Sequence, residues 1–112
     1  MNLKTLAVLS ELEDYIYIRA LRLPFGFVAV RKSQIFEYID KIYSEVPMDI
    51  KMARENGVCG NDFNGTEIYD ILSAMERMVD NFNIIMYSVV SIKEMKSKLD
   101  EIKHSISILS KH

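Results

Sequence analysis

Residues 66–92 read TEIYDILSAMERMVDNFNIIMYSVVSI, and within them Ile68, Leu72, Met75, Val79, Phe82, Met86 and Val89 recur in alternating steps of four and three. That alternation is the a/d seam of a heptad pattern, sustained for about three heptads, and it lays an apolar stripe along one side of a helix. Thr66 offers an N-cap hydroxyl, and Glu67 puts an acid in the first turn, where the helix dipole favours it. Continued in register, the seam reaches Lys93 and Lys96, yet the apolar residues are Ile92, Met95, Leu99, Ile102, Ile106 and Leu109, one position early. The slip leaves two readings of residues 66–110. One is a single helix of about 45 residues and roughly 65 Å, at 1.5 Å rise per residue, that changes its packing face. The other is a pair of shorter helices parted at Ser88-Val89-Val90-Ser91-Ile92, where β-branched residues favour a bend or a local strand.

Toward the N-terminus, Leu3, Leu6, Leu9, Leu12, Ile16 and Ala20 recur every three or four positions, which predicts an amphipathic helix from Asn2 to about Arg22. Leu23-Pro24-Phe25-Gly26 ends it, because proline disfavours a helical residue before it and glycine admits other conformations. Phe27-Val28-Ala29-Val30 reads as a short strand whose pairing partner must come from another copy or from the loop. Ser33 is placed to cap a second helix, with Ile35, Phe36, Ile39, Ile42 and Tyr43 as its buried stripe, running to about Glu45. Pro47 predicts a break and a short third helix over Met48–Glu55, set at an angle to the second and stopped by Asn56-Gly57. Asn56 to Gly65 gathers three of the four glycines with Asn61, Asp62 and Asn64 and forms the principal loop. The expected fold is mainly α: a helical bundle or helical hairpin with a long heptad-patterned C-terminal helix and one short strand at 27–30. It is a single helical domain over 1–112, with N-terminal helices in 1–56, the loop in 57–65 and the long helix or helix pair in 66–110.

A chain of 112 residues with 49% hydrophobic and 27% charged residues has enough apolar material for one packed core. Its formal charge of −2 and the absence of a long Lys/Arg run argue against nucleic acid as a partner. No apolar run reaches the ~18 residues a membrane span needs, and no signal peptide is read at the N-terminus. One cysteine, Cys59, cannot close an intramolecular disulfide, and with only His104 and His112 it falls short of a zinc site, so a cytoplasmic setting is expected. Asp62-Phe63-Asn64-Gly65 is superficially like a calcium loop, but glycine sits fourth rather than sixth and Ser73 stands where the bidentate acid belongs. Asn64-Gly65-Thr66 matches a glycosylation sequon, which has meaning only in a secreted chain. Cys59 has no neighbouring cations in sequence to activate its thiol, and the pairs Glu11 with Asp14 and Asp100 with Glu101 read as solvated helix faces. No catalytic, cofactor-binding or metal-binding residue is nominated, and no cofactor is expected. The seven methionines point to adaptable packing.

Leu23-Pro24-Phe25-Gly26, Val28 and Val30, Ile39-Asp40, Ile42, and Pro47-Met48-Asp49-Ile50-Lys51-Met52-Ala53-Arg54 form a recognisable succession. In these residues the stretch Leu12 to Glu55 resembles the N-terminal part of bacterial coiled-coil proteins labelled as ATPase-like, or as similar to the H component of the vacuolar-type ATPase. The resemblance covers under half of the chain and carries no catalytic motif. It departs after Glu55, where those proteins continue into a charged coiled coil and this chain has the Gly/Asn loop and a more hydrophobic helix. No Gly-x-x-x-x-Gly-Lys pattern is present to support an independent ATPase.

The function expected from the sequence is a non-enzymatic protein-interaction or scaffold module. It would self-associate, as a dimer for preference, through the seam Ile68, Leu72, Met75, Val79, Phe82, Met86, Val89, Met95, Leu99, Ile102, Ile106 and Leu109. The alternative is a regulatory module in which the 56–65 loop closes over a small ligand or peptide.

Overall fold

The computed structural model describes residues 3–80 and 86–110. Helix α1, Lys4–Asp14, has no side-chain cap from its own preceding residue, Leu3. Its exposed amide ends are met from elsewhere in the chain: the Asp49 carboxylate accepts from the N–H of Lys4 at 3.3 Å and of Thr5 at 2.9 Å. A buried acid at a helix N-terminus satisfies two orphan donors and complements the dipole. The helix passes into a π-helical turn, Tyr15–Arg19, and ends at extended Ala20. A two-residue strand β1, Leu21–Arg22, a short turn at Pro24–Gly26 and strand β2, Phe27–Arg31, follow.

Helix α2 spans Lys32–Glu55 without interruption, so the break expected at Pro47 and the separate third helix do not occur. Ile35, Ile39, Ile42, Val46, Ile50 and Ala53 are buried along one side that carries straight past the proline, while Pro47 itself is exposed. Burying that stripe outweighs the roughly 3 kcal/mol that an interior proline costs a helix. Ser33 lies inside the first turn and is not the cap, a position taken by extended Arg31. The stop at Asn56-Gly57 is as expected, with Gly57 at φ +71.

Helix α3, Thr66–Asp80, starts one residue earlier in its capping than the sequence suggests. The Gly65 carbonyl accepts from Tyr69 N–H, and the Asn64 Oδ1 accepts from both the N–H and the hydroxyl of Thr66. Thr66 is thus the first helical residue. Strand β3, Tyr87–Ser91, then separates α3 from helix α4, Ile92–Ile106, which runs into a last turn at Ser107–Ser110. Residues 66–110 are therefore not one long helix, and the slip in the heptad pattern falls within β3 and at its junction with α4. Ser91 caps α4 by accepting from Glu94 N–H at 3.2 Å.

The strands form one antiparallel sheet in the order β1-β2-β3. The partners of β2 come from its own chain, neither from another copy nor from the 56–65 loop. Phe27 pairs with Ser91, Ala29 with Val89 and Arg31 with Tyr87. A rotation that exchanges β2 and β3 hence carries each residue onto the one sixty positions away, and α2 and α4 likewise begin sixty apart, at Lys32 and Ile92. Buried positions follow the same rule: Val30 and Val90, Ile35 and Met95, Ile39 and Leu99, Ile42 and Ile102, Val46 and Ile106. In the preceding helices Thr5, Leu9, Leu12 and Ile16 correspond to Ile68, Leu72, Met75 and Val79, sixty-three apart, because the second half takes a shorter path from helix to strand. Strands β2 and β3 are related by a local two-fold axis at the Ala29–Val89 pair, and the helices on either side of each strand repeat the same order of buried positions, the first half having β1 in addition. Both halves contribute to one hydrophobic cluster on the inner side of the sheet, in a body of 46 × 21 × 18 Å.

Candidate functional site

Alternation along a strand sends successive side chains to opposite faces, and directly paired residues share a face. Val28, Val30, Ser88 and Val90 accordingly point into the core and are buried. The other face carries Phe27, Ala29 and Arg31 from β2, Tyr87, Val89 and Ser91 from β3, and Leu21, which pairs with Ala29, from β1. Leu21, Phe27 and Tyr87 are exposed there. The adjoining turn presents Phe25 at 96% exposure, held at φ +65 beside Gly26 at φ +80. A non-glycine residue at positive φ is unusual, and the turn uses it to project the ring outward. Ile18, 75% exposed on the π-helical turn, lies apart from these side chains, in a cleft with Glu11, Asp14, Arg19 and Tyr38.

Of the cations near the outer face only Arg31 lies on it: Arg22 pairs with Val28 on the inner one, and Arg19 shares a cleft with Glu11 and Asp14. Between Tyr15 and Phe36 the chain carries Arg19, Arg22, Arg31 and Lys32 and no aspartate or glutamate, within a protein whose net charge is −2. Two of these cations have partners nearby, Arg19 on aromatic side chains and Arg22 on a backbone carbonyl. Arg19 donates to the Tyr38 hydroxyl at 2.6 Å and lies 5.4 Å from the centre of the Tyr15 ring, while Arg22 donates to the Tyr17 carbonyl at 2.9 Å. The Tyr15 hydroxyl accepts from Arg31 N–H at 2.8 Å, tying the π-helical turn to the end of β2. Away from the sheet face, the Tyr17 phenol is raised above its ordinary range, chiefly by burial and then by Glu13 and Asp100.

The twelve seam residues nominated from sequence fall elsewhere. Ile68, Leu72, Met75, Val79, Met95, Leu99, Ile102, Ile106 and Leu109 are buried inside this single chain. Val89 is half-buried on the outer sheet face, Met86 is exposed beside it, and Phe82 lies outside the described residues. The seam is core in this structure. The surface residues that sequence reasoning missed are Leu21, Phe25, Phe27, Arg31 and Tyr87. The first four lie in the acid-free run from Tyr15 to Phe36, and Tyr87 has no such signal in the sequence.

The 56–65 loop is drawn together by Arg54, whose guanidinium donates to the carbonyls of Gly60, Asn61 and Phe63. Asn64 spends its side-chain oxygen on Thr66, and Cys59 is half-buried against the core. A shallow cleft of about 160 Å³ lies beside the loop, between Phe63 and Ser105. A larger open cleft of about 570 Å³ runs between α3 and α4, where Lys93 and Lys96 face Glu67, Asp100, Glu101 and His104 in near charge balance. Among the described residues no three His, Cys, Asp or Glu side chains converge on a metal-sized site, and no helix is long and apolar enough to cross a membrane.

Comparison with protein-family models, with curated proteins and with solved structures found no match. The likeness of residues 12–55 to bacterial coiled-coil proteins therefore rests on the Leu23–Gly26 turn, Val28 and Val30, the Ile39–Ile42 stretch and the Pro47–Arg54 segment alone.

Proposed function

We propose that the chain is a non-enzymatic interaction module of the cytoplasm whose contact surface is the outer sheet face together with the Pro24–Gly26 turn. One observation carries this reading: apolar side chains that a core would take up, Leu21, Phe25, Phe27 and Tyr87, stand exposed on the outer sheet face and its turn, Phe27 and Tyr87 at opposite ends of the β2–β3 ladder. The heptad seam, by contrast, is consumed within the chain, which leaves little of the C-terminal helix to offer a partner. The test is site-specific photocrosslinking in cells. Benzoylphenylalanine at Phe27 should give adducts that the same group at exposed Asp70 on α3 does not. Adducts from Asp70 with none from Phe27 would move the contact surface to the helices.

A second reading retains the self-association expected from the seam, by exchange of the C-terminal half between two copies. It is favoured by the construction from two halves, α1 to α2 and α3 to α4, which are joined by the 56–65 loop and share one core that an exchange between copies can rebuild. Light scattering over a wide range of concentration separates the two. A mass of 13.0 kDa throughout fits the first reading, and a stable dimer fits the exchange.

A further inference from the structure

We infer that the outer edge of β3 is a docking site for a second copy of this chain, whose own β3 adds to it in the antiparallel sense to make one six-stranded sheet. The inference stands apart from the contact surface proposed above, because it uses main-chain groups at the edge and not the side chains of the face.

Three hydrogen bonds fix which way the main chain of each strand points. Lys32 N–H donates to the Met86 carbonyl at 3.1 Å, so Val30–Ser88 and Val28–Val90 are the hydrogen-bonded pairs between β2 and β3. Phe27, Ala29 and Arg31 therefore direct their main-chain polar groups to the opposite edge of β2, and there they are met. The Phe27 carbonyl accepts from Leu23 N–H at 3.0 Å, Ala29 pairs with Leu21, and Arg31 N–H donates to the Tyr15 hydroxyl at 2.8 Å. The two-fold axis that relates β2 to β3 puts Tyr87, Val89 and Ser91 in the same situation at the outer edge of β3. No strand meets them there among the described residues, and Met78, which corresponds to Tyr15, has no hydroxyl to offer.

An edge of this kind accepts an extended segment, and folds that avoid such pairing blunt the edge with proline, lysine or a bulge. Tyr87–Ser91 has none of the three. A second β3 is favoured over an unstructured peptide because its pairing with β2 already holds it extended, so docking costs it little further backbone freedom. With Val89 on the axis between the copies, Tyr87 faces the second copy's Ser91, and no charged residue of the strand meets another. The outer-face row Leu21–Ala29–Val89 then continues into its own copy as six apolar residues across six strands.

Two substitutions at Val89 test the pairing. Val89→Pro removes an outward N–H and none that β2 uses, so the fold of the single chain should survive it. Val89→Lys keeps the main chain and sets two like charges opposite each other on the axis. Light scattering of the unsubstituted chain at high concentration should give twice 13.0 kDa, and each substitution should weaken the pairing about tenfold or more. Circular dichroism checks that both variants are folded. An exchanged dimer also doubles the mass but makes no use of this edge, so a doubled mass that neither substitution lowers would overturn the inference in favour of exchange. Dissociation by Val89→Lys alone would assign the dimer to side chains of the outer face and overturn the edge pairing. A mass of 13.0 kDa at every concentration would overturn it as well, while the contact surface, tested by crosslinking from Phe27, would stand or fall separately.

Discussion

At Asp49 the carboxylate, 1% exposed, holds the first two amides of α1 from a different helix, so Asp49→Ala leaves those donors buried and unmet. The expected cost is about 2 kcal/mol, read as a lower urea midpoint. Ser88 is a different kind of buried polar residue: its hydroxyl finds no partner among the described residues, in the place that Val28 fills in the first half. Ser88→Ala should therefore raise stability by about 1 kcal/mol in the same assay. Gly65 sits at φ +77, where an added Cβ would come within 2.9 Å of Ile50 Cδ1 and 3.3 Å of Val46 Cγ1. Tyr17 and Tyr69 both hold their protons more tightly when folded, mainly because they are partly buried. Their contribution is fully present below the unfolded tyrosine value near 10 and is lost as pH rises through the folded one, so the urea midpoint should fall above about pH 10. Tyr17→Phe should flatten that decline.

At the scale of elements, α2 tolerates Pro47 because its buried stripe runs through it, and the proline remains a local cost. Pro47→Ala should restore a helical N–H and raise stability by about 1 to 3 kcal/mol, measured by thermal unfolding. The division of residues 66–110 is half legible in the sequence. A one-residue slip in the heptad pattern and the cluster Ser88-Val89-Val90-Ser91-Ile92 locate a discontinuity, and the structure turns it into β3. Periodicity alone does not distinguish bend from strand, because the hydrogen bonds that stabilise β3 belong to β2, far away in the sequence. The expected pairing of β2 with another copy or with the loop fails for the same reason.

For the molecule as a whole, Met95 decides between an interface and a core. If the seam joined two surfaces, Met95→Glu would dissociate a dimer into folded chains. Met95 is instead fully buried within one chain, so the substitution should cost about 4 kcal/mol or more and leave an unfolded or aggregated protein, visible as lost helical dichroism. A folded monomer from that variant would return the seam to the surface. The two-fold relation between the halves also belongs to this scale: few residues are shared at matched positions, Val30 with Val90, Asp40 with Asp100 and Ile42 with Ile102 among them. What is repeated is the order of buried positions, and two sequences preserve that order while sharing few letters.

The sequence by itself determined the mainly helical character, the strand at 27–30, the loop at 56–65, the stop of α2, the start of α3 and the identity of most core residues. Each depends on local propensity or on the spacing of apolar side chains along one element. Only the tertiary structure decided that the apolar stripe of α3 and α4 packs against the first half, α1 and α2. Periodicity shows that a face will be buried; it carries no record of what buries it. The same limit hid the sheet face, since the side of the sheet that carries Leu21, Phe27 and Tyr87 is set by the strand pairing and not by any one strand's own residues.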